Sequence, residues 1–459
     1  MEPAQIEKLI KEKDLRCIII GTPDIVGNLR GRGVVPQHFL KTICQEGLGI
    51  CDCIYIMDTL DNIHLPSRKL GWYPDWGGGF RDYVIKPDLS TFGLVPWLDR
   101  TALVIGDVYD QNTGQLLETA PRSLLKKLVE RAERLGYQIL AASELEFVIL
   151  PEPISQIAAK GFREIERLSP GCYDYSVYRL SVHQELIEEI VQKMNQRGVE
   201  IHTYQVEAGG GQFEFQLKHC PILQAADRAC LYKSGVKEMI ARQGMTATFM
   251  AKFDPQSFGS SCHVHQSLLD KKSGRNLFWD PGQEHHVSKL MAHYAGGLLA
   301  VLPEFTLMWA PYVNSYKRYG PGSAAGLNAT WGVDNRTVGL RVLAESEASC
   351  RLEHRVPGAD ANPYLVMAAM LAGGLYGLEN QITPPELFSG NAYALPEKKA
   401  RRVPLTLGEA AKSFLGSKVA RAYLGEEFVE YYAEYKAAEW REFCFTVTDW
   451  ERRKYLEMV

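Results

Sequence analysis

The sequence predicts an α+β protein, with a small sheet-based N-terminal domain and a larger domain that mixes long helices with strands. Residues 15–108 alternate short β-rich runs with loops of Gly, Pro and Asp, a pattern typical of a small sheet. Leucine and alanine then recur at helical spacing from Pro121 until Gly136 ends the run. We therefore predict two domains, residues 1–113 and 114–459.

The overall composition fits a folded protein of this size. The chain has 459 residues, of which 46% are hydrophobic, so there is enough apolar material for packed cores. Its 51 Lys and Arg residues nearly balance 55 Asp and Glu residues, for a net charge of -4. Proteins dedicated to nucleic acid are normally strongly basic. We therefore predict no nucleic-acid partner and expect any bound nucleotide to be a small molecule.

The N-terminal domain is predicted to begin with an amphipathic helix, because Ile6, Leu9 and Ile10 share one helical face. This charged start lacks the apolar core of a secretory signal. The pair Cys51 and Cys53 has the spacing of neither a zinc site nor a redox site, so we expect reduced thiols in a cytoplasmic protein. Strands are predicted at residues 17–20, 53–57 and 102–108.

The larger domain is predicted to contain five long helices. Asn362 followed by Pro363 is a standard helix start, with a capping side chain and a proline in the first turn. The apolar run that follows Pro363 is shorter than the ~20 residues that a bilayer requires. A second apolar run, residues 291–313, is interrupted by prolines. We therefore predict buried core helices and no membrane partner. The helices are predicted at residues 121–135, 180–197, 221–243, 286–301 and 363–378.

Paired carboxylates and imidazoles mark the predicted strands of the larger domain. Glu144 and Glu146 point to one face of an apolar strand, because successive side chains of a strand alternate between faces. Two carboxylates 4 Å apart repel by ~4 kcal/mol at an effective dielectric constant of 20, so a cation or a proton must lie between them. A Gly-rich turn separates Glu207 from Glu214 and can bring this second pair together. His263 and His265 form a third pair of the same kind.

Four arginines and one glutamate lie in two short segments, residues 335–341 and 351–357. Guanidinium groups bind phosphate and carboxylate through paired hydrogen bonds, so this block resembles a clamp for such anions. Five glutamates and His263 facing the clamp would hold Mg²⁺ or Mn²⁺. The combination predicts metal-assisted phosphoryl transfer, and the sequence contains neither a P-loop nor a dinucleotide-binding fingerprint. The clamp residues are Arg336, Arg341, Arg351, Glu353 and Arg355.

Seven ordered blocks of the sequence resemble the glutamine synthetase family, and the resemblance covers essentially the whole chain. It implies a β-grasp-like N-terminal domain, followed by a catalytic domain with an antiparallel sheet flanked by helices. It also implies ATP as a co-substrate and two or more divalent metal ions per active site. The matching blocks are residues 87–97, 144–147, 207–214, 259–265, 314–318, 335–341 and 351–364.

The resemblance also implies roles for individual residues. One metal ion would be bound by Glu146, Glu207 and Glu214, and the second by Glu144, His263 and Glu353. The residues that match contacts to glutamate are Gly259, Arg318 and Arg355. Those that match contacts to ATP are His265, Ser267, Arg351, Arg336 and Arg341, of which the last two steady the γ-phosphoryl group.

Departures from the family pattern concern the nitrogen substrate. In family members that use ammonium, a loop glutamate covers the site, but Ala324 takes its place here. Asp58 is the counterpart of the aspartate of the ammonium site, and Ser261 stands where the family normally has Gly. Without the loop carboxylate, a small cation is less favoured and there is room for carbon substituents. Residues 328–336 and 447–457 also look more like the γ-glutamylpolyamine and γ-glutamylamide synthetase branch.

The resemblance therefore implies an ATP-dependent ligase that joins the γ-carboxyl of L-glutamate to an organic primary amine through γ-glutamyl phosphate. The amine would be a polyamine or a small alkyl or aryl amine, with Asp58, Asp61, Trp72 and Trp76 as candidate contacts. Two alternatives stand beside this prediction: a glutamine synthetase that uses ammonium, and a catalytically silent relative. The family also implies a dodecamer of two hexameric rings with active sites shared between neighbouring subunits. Modification of Tyr393 stays open.

Overall fold

The computed structural model describes residues 1–63, 74, 76–171, 173–255, 257–320 and 325–459. Its strands form two sheets, the smaller within residues 17–110 and the larger within residues 137–354. The predicted α+β class is confirmed. The strands are β1 (Cys17–Pro23), β2 (Leu29–Val34), β3 (Leu48–Cys51), β4 (Asp82–Pro87), β5 (Gly93–Leu94), β6 (Thr101–Asp110), β7 (Tyr137–Leu150), β8 (Ile201–Val206), β9 (Gln212–Leu217), β10 (Cys220–Pro221), β11 (Thr246–Thr248), β12 (Cys262–Asp270), β13 (Trp331–Val333), β14 (Leu340–Leu343) and β15 (Arg351–His354).

Helices lie before, between and after these strands. The helices are α1 (Pro3–Glu12), α2 (Pro36–His38), α3 (Cys44–Glu46), α4 (Pro121–Arg134), α5 (Ile154–Ala159), α6 (Val177–Val182), α7 (Gln184–Arg197), α8 (Ile222–Arg242), α9 (Lys289–Trp309), α10 (Pro363–Glu379), α11 (Leu407–Leu415), α12 (Lys418–Leu424), α13 (Glu426–Cys444) and α14 (Asp449–Tyr455).

The smaller sheet has the strand order β2-β1-β6-β4-β3, and β5 pairs with β6. The β1–β6 pair is parallel, whereas the other pairs are antiparallel. Helix α1 buries Ile6 and Ile10 in the core of this sheet, as the amphipathic pattern predicts. The nine cysteines of the described residues are free.

The strand predicted at residues 53–57 is wrong. Strand β3 ends at Cys51, and Asp52–Tyr55 forms a 3₁₀ turn. The turn begins there because Asp52 forms two hydrogen bonds with the backbone of Arg81. The Asp52 N–H donates to the Arg81 carbonyl at 2.8 Å, and the Asp52 carboxylate accepts from the Arg81 N–H at 3.1 Å. The turn buries Ile54 and Tyr55 in the small core.

The larger sheet has the strand order β13-β14-β15-β12-β7-β9-β8, with β10 and β11 paired to the two ends of β7. The β13–β14 pair is parallel and the remaining pairs are antiparallel. Strand β7 is the longest, with 14 residues, and its inward side chains Leu145, Phe147 and Ile149 are buried in the main core. Its other face carries the carboxylates discussed below.

The predicted helices are present, with two changes of extent. The segment predicted as one helix at residues 180–197 is divided into α6 and α7 at His183. Helix α9 continues past Pro303 to Trp309, because this end of the helix is buried against α10 and α11. Within the described residues, α9 is long and apolar enough to cross a membrane, but 72% of its apolar window is buried inside the protein.

Arg122 joins the two sheet regions through a buried ion-pair network. Its guanidinium donates to Asp88 at 2.7 Å and to Asp107 at 2.5 Å, both in the N-terminal region. It also donates to Asp227 of α8 through Nε at 2.9 Å and Nη2 at 3.0 Å. The Arg122 side chain is only 2% exposed, and removing it would leave buried Asp227 without this ion pair, whereas Asp107 would keep its ion pair with Lys126 at 2.5 Å.

We expect Arg122→Met to lower the free energy of unfolding by about 3–5 kcal/mol, because the buried carboxylate of Asp227 loses its ion pair with Arg122. The matched control is Arg131→Met, which removes two hydrogen bonds to Glu379. The Arg131 side chain is 34% exposed. The control should cost no more than about 1 kcal/mol. Urea unfolding of both variants measures the difference. Equal losses would contradict a stabilising role for the buried network.

Candidate active site

Strands β9, β7 and β12 bring four predicted ligands onto one sheet face. In the β7–β12 pair, Glu144 lies opposite His263, and in the β7–β9 pair, Glu146 lies opposite Glu214. Side chains that lie opposite each other in paired strands, or two residues apart in one strand, point to the same face of the sheet. All four side chains therefore lie on one face, as predicted for the pair in β7. The antiparallel register, which the sequence does not display, brings these separate pairs together.

Glu353 completes this cluster from the next strand. It lies opposite His265 in the β12–β15 pair and is fully buried. His263 Nδ1 is 3.5 Å from a Glu353 oxygen and 3.4 Å from a Glu144 oxygen. His265 Nε2 is 2.9 Å from the other oxygen of Glu144. The two histidines and two glutamates therefore form one compact group.

The Gly-rich turn between β8 and β9 places Glu207 at the edge of this cluster. The Glu207 N–H donates to the Gln212 carbonyl at 2.9 Å, which closes the turn. Gly211 adopts φ +77°, and a Cβ there would lie 2.8 Å from the Ile149 carbonyl oxygen, so glycine is required. Gln212 is buried and donates to Glu146 Oε2 at 2.9 Å. The sequence prediction did not include this contact.

Burial and mutual repulsion raise the pKa values of three carboxyl groups in the cluster. Burial, followed by repulsion from Glu207, raises the pKa of Glu146 to about 7. Burial, followed by repulsion from Glu144, Glu146 and Glu207, raises the pKa of Glu214 to about 9. Burial also raises the pKa of Glu207. Such a group of carboxylates holds either protons or a cation near neutral pH.

The histidine side of the cluster behaves in the opposite way. Burial opposes ionisation of Glu144 and Glu353, but the histidines hold the pKa of Glu144 below its usual value, and Arg355 and the histidines do the same for Glu353. Burial and Arg355 lower the pKa of His263 to about 4. His263 is therefore neutral at pH 7 and available as a metal ligand.

The donor set fits hard divalent cations. Donor atoms of Glu144, His265 and Glu353 lie within 4.8 Å of one another, and so do those of Glu144, Glu214 and His263. Carboxylate oxygens with one imidazole suit Mg²⁺ or Mn²⁺. These groups mix the two predicted ligand sets, and they include His265, which was predicted to contact ATP. The assignment of each ligand to one ion stays a prediction.

The raised pKa of Glu214 predicts a pH-dependent stability of the metal-free protein. The folded state keeps a proton on this carboxyl up to about pH 9, whereas the unfolded state loses it near pH 4.5. Ionisation therefore opposes folding increasingly as pH rises through this interval. Relative to the unmodified protein, Glu214→Gln should gain about 2–3 kcal/mol of stability between pH 7 and pH 9, at about 1.4 kcal/mol per pKa unit.

Thermal or urea unfolding at the two pH values, in EDTA, measures this gain. Adding Mg²⁺ at pH 9 should stabilise the unmodified protein more than the variant, because the cation replaces the proton. Exposed Glu345 provides the control, and Glu345→Gln should show no such pH-dependent gain. A Glu214→Gln stability difference that is the same at both pH values would contradict the raised pKa.

Arg318 is a buried guanidinium next to the cluster, only 1% exposed. Nη1 donates to the Val356 carbonyl at 2.8 Å, and Nη2 donates to Ser261 Oγ at 2.7 Å and to the Arg355 carbonyl at 3.2 Å. Among the described residues, its Nε has no hydrogen-bond partner and no carboxylate forms an ion pair with its guanidinium. A buried cation with unused donors suits an anionic ligand.

The other two predicted glutamate contacts lie around Arg318. A Cβ at Gly259 would approach Arg318 Cγ and the Ala251 carbonyl oxygen to 2.5 Å, so only glycine allows this close packing. Arg355 is buried and is already tied to protein groups. It donates to the Glu353 carboxylate and, through Nε at 3.2 Å, to the Arg336 carbonyl.

The two arginines predicted for the γ-phosphoryl group differ in environment. Arg341 lies opposite Glu353 in the β14–β15 pair and donates to it through Nη1 at 3.0 Å. Its Nε and Nη2 donate to one oxygen of Asp334 at 3.1 and 2.5 Å. Arg336 is exposed. Arg341 is therefore held toward the cluster, and its contact with Asp334 was not predicted from the sequence.

A cavity of about 680 Å³ adjoins the histidine side of the cluster, a volume typical of small-molecule sites. Glu144 and three predicted ATP contacts, His265, Ser267 and Arg351, line it together. Arg351 Nε donates to His265 Nδ1 at 3.1 Å, and Ser267 donates to the Cys350 carbonyl at 2.9 Å. The polar wall residues that were not predicted include His202, Gln216 and His219.

The predicted amine contacts lie elsewhere in the chain or cannot be placed. Asp58 accepts the N–H groups of Leu60 at 2.7 Å and Asn62 at 2.9 Å, and lines a separate cavity of about 280 Å³. Asp61 pairs with Arg30 at 2.6 Å. Trp76 is exposed and packs edge-on against Phe80. Ala324 and Trp72 lie outside the described residues.

Known proteins share this fold and sequence. A family model described as the catalytic domain of glutamine synthetase matches residues 118–455. The glutamate–isopropylamine ligase of Pseudomonas sp is 38% identical over 455 residues, which cover 99% of this chain and 98% of that protein. The γ-glutamylethanolamide synthetase of Streptomyces coelicolor is 34% identical over 459 residues, covering 99% and 96%. The solved structure of ligand-free GmaS covers 98% of both chains, with a TM-score of 0.84 and 28% identity.

The fold, the carboxylate cluster and these relatives together define an ATP-dependent ligase. The chain belongs to the glutamine synthetase family. ATP and divalent metal ions are used throughout this family, and the donor set of the cluster fits such ions. The predicted family is thereby confirmed, whereas the individual site residues and the domain boundary after residue 113 stay predictions.

Proposed function

We propose that the protein joins the γ-carboxyl of L-glutamate to an organic primary amine, with ATP as the source of energy. The observation that carries this proposal is the position of Arg318, a buried cation without an ion pair among the described residues, beside the carboxylate cluster. Arg318 would hold a carboxylate of glutamate, while the cavity on the histidine side would hold ATP. The reacting groups would meet at the cluster between them.

The reaction requires an anionic nucleophile to approach an anionic phosphate. The carboxylates and imidazoles of the cluster would hold divalent ions, whose positive charge would offset part of this repulsion. Arg341 is held beside Glu353 and would face the transferred phosphoryl group with its remaining donors. Arg351 and Ser267 would contact the nucleotide from the wall of its cavity. The γ-carboxylate would take the γ-phosphoryl group of ATP and release ADP, and the amine would then attack γ-glutamyl phosphate, displace phosphate and lose a proton.

The choice of an organic amine rests on two observations. The relatives at 38% and 34% identity are named for isopropylamine and ethanolamide, and both align along nearly the whole chain. The sequence also has Ala324 where ammonium-using relatives carry a glutamate, so a carboxylate that would favour a small cation is missing. A small alkyl or hydroxyalkyl amine fits these names best, and a polyamine is a further candidate.

A ring oligomer is the second part of the proposal. Within one chain, Asp58 lines a cavity distinct from the cavity proposed for ATP, and a site shared between subunits would bring Asp58 to the cluster of a neighbouring chain. We propose the dodecamer of two hexameric rings that the family resemblance implies. Light scattering on the purified protein should give about twelve times the chain mass of 51.6 kDa. A monomer that turns over amines at full rate would contradict shared sites.

Phosphate release by the purified protein tests the substrate directly. Reactions contain ATP, Mg²⁺ and glutamate, and compare ammonium with isopropylamine, ethanolamine, methylamine, putrescine, spermidine and aniline. The proposal expects one organic amine to support a rate well above that of ammonium. Faster turnover with ammonium would identify a glutamine synthetase. No turnover with any amine, despite binding of ATP and Mg²⁺, would favour a catalytically silent relative.

A further inference from the structure

We propose that Ser261 is a positioning residue for glutamate binding, because its hydroxyl orients the buried guanidinium of Arg318. Ser261 lies directly before β12 and is 7% exposed. Its Oγ accepts from Arg318 Nη2 at 2.7 Å, the shortest of the three hydrogen bonds that Arg318 donates. The proposal rests on the proposed function, in which the ligand of Arg318 is glutamate.

Ser261 connects Arg318 to the carboxylate cluster. Its backbone N–H donates to Glu146 Oε2 at 3.0 Å, and its carbonyl accepts from the Glu146 N–H at 3.0 Å. One residue therefore contacts both the cation that would bind the substrate and a carboxylate of the cluster. This geometry fixes the separation between the two groups, and the hydroxyl acts on both of them, because it accepts from Arg318 and also forms a side-chain hydrogen bond with Glu146.

The hydrogen-bond inventory of Arg318 explains why the hydroxyl matters. A guanidinium has five N–H donors, and the protein uses three of them. The two backbone acceptors come from neighbouring residues, Arg355 and Val356, on one side of the group. Ser261 supplies the third acceptor from a different chain segment, so it restrains rotation of the guanidinium plane. Glycine or alanine at this position would leave a buried N–H without its acceptor.

The effect should fall on glutamate binding rather than on the chemical step. A contact that orients Arg318 acts equally on the bound substrate and on the transition state, so KM changes and kcat does not. Loss of a buried hydrogen bond from a charged donor weakens binding by about tenfold or more. The KM for ATP should be unchanged, because the nucleotide cavity does not include Ser261.

The test uses the full-length protein with Ser261→Ala, Ser261→Gly and Ser261→Thr. Calorimetric titration with glutamate in the presence of Mg²⁺ should show about tenfold weaker binding for the Ala and Gly variants, and recovery for Thr, which keeps the hydroxyl. Steady-state rates should show the same change in the KM for glutamate, with kcat within about threefold of the unmodified protein. Because both Ser261→Ala and Ser261→Gly lack the hydroxyl, the test still works if one of these two variants misfolds.

The matched control is Ser123→Ala in α4. Ser123 is a buried serine whose hydroxyl has no hydrogen-bond partner, so glutamate binding should not change. If the unmodified protein binds glutamate and Ser261→Ala binds it equally well, the role of Ser261 is refuted while the proposed function stands. If the unmodified protein binds no glutamate, the proposed function itself fails, and with it the role of Ser261.

Discussion

Replacing Glu353 with glutamine should lower kcat by about 10²- to 10³-fold while leaving the protein folded. Glu353 is fully buried at the centre of the cluster, with Arg341 and Arg355 hydrogen-bonded to its carboxylate and His263 Nδ1 at 3.5 Å. Glutamine has nearly the same shape but cannot neutralise two guanidinium groups. The amide would therefore disturb both the arginines and the donor group that fits a divalent ion.

The expected loss has a distinctive metal dependence. Raising the Mg²⁺ or Mn²⁺ concentration should restore part of the Glu353→Gln rate if the carboxylate is a ligand. Glu345→Gln, an exposed substitution on the segment between β14 and β15, should retain the rate of the unmodified protein. Near-normal kcat for Glu353→Gln would place the chemistry elsewhere. Stopped assays of phosphate release, with circular dichroism to verify folding, provide the measurement.

Replacing Arg318 with methionine should raise the KM for glutamate by about 100-fold or more, the second largest effect that we expect. The guanidinium is buried, and its Nε donor has no partner among the described residues. No carboxylate in this part of the chain forms an ion pair with Arg318. Methionine fills similar space but offers no donor to a substrate carboxylate. Loss of the guanidinium should weaken the binding of glutamate much more than the binding of ATP, whose proposed cavity lies on the histidine side of the cluster.

Lys317→Met is the matched control, since Lys317 is the exposed neighbour of Arg318 in the same 3₁₀ turn. It carries the same charge, so this control separates the position of the cation from the total charge of the region. We expect its KM for glutamate to stay within about twofold of the unmodified value, as for an exposed charge. A similar rise in KM for both variants would contradict a specific role for Arg318.

The carboxylate cluster could be predicted because side chains alternate in strands. Glu144 and Glu146 are two residues apart in β7, and this spacing alone places them on one face. What the sequence did not display is the pairing of strands. The register that sets Glu146 opposite Glu214 and His265 opposite Glu353 depends on contacts between distant segments.

Several other features could not be predicted from the sequence, each for a different physical reason. Residues 53–57 have a β-rich composition, but the contacts of Asp52 with the backbone of Arg81 end the strand before them. His202 and His219 line the cavity proposed for ATP although neither belongs to a recognisable motif. Gln216 did carry a signal, because it follows Glu214 at the strand spacing of two residues. The hydrogen bond between Ser261 and Arg318 depends on the three-dimensional packing alone.

The most direct test of the central claim is a competition between nitrogen substrates in one reaction. Ammonium and the most active organic amine are supplied at equal concentration with ATP, Mg²⁺ and glutamate, and mass spectrometry measures both products. Their ratio equals the ratio of the two kcat/KM values. We predict an excess of the γ-glutamylamide over glutamine by at least about tenfold, the discrimination that a contact worth 1.4 kcal/mol provides. Glutamine as the main product would contradict the claim that this enzyme uses an organic amine.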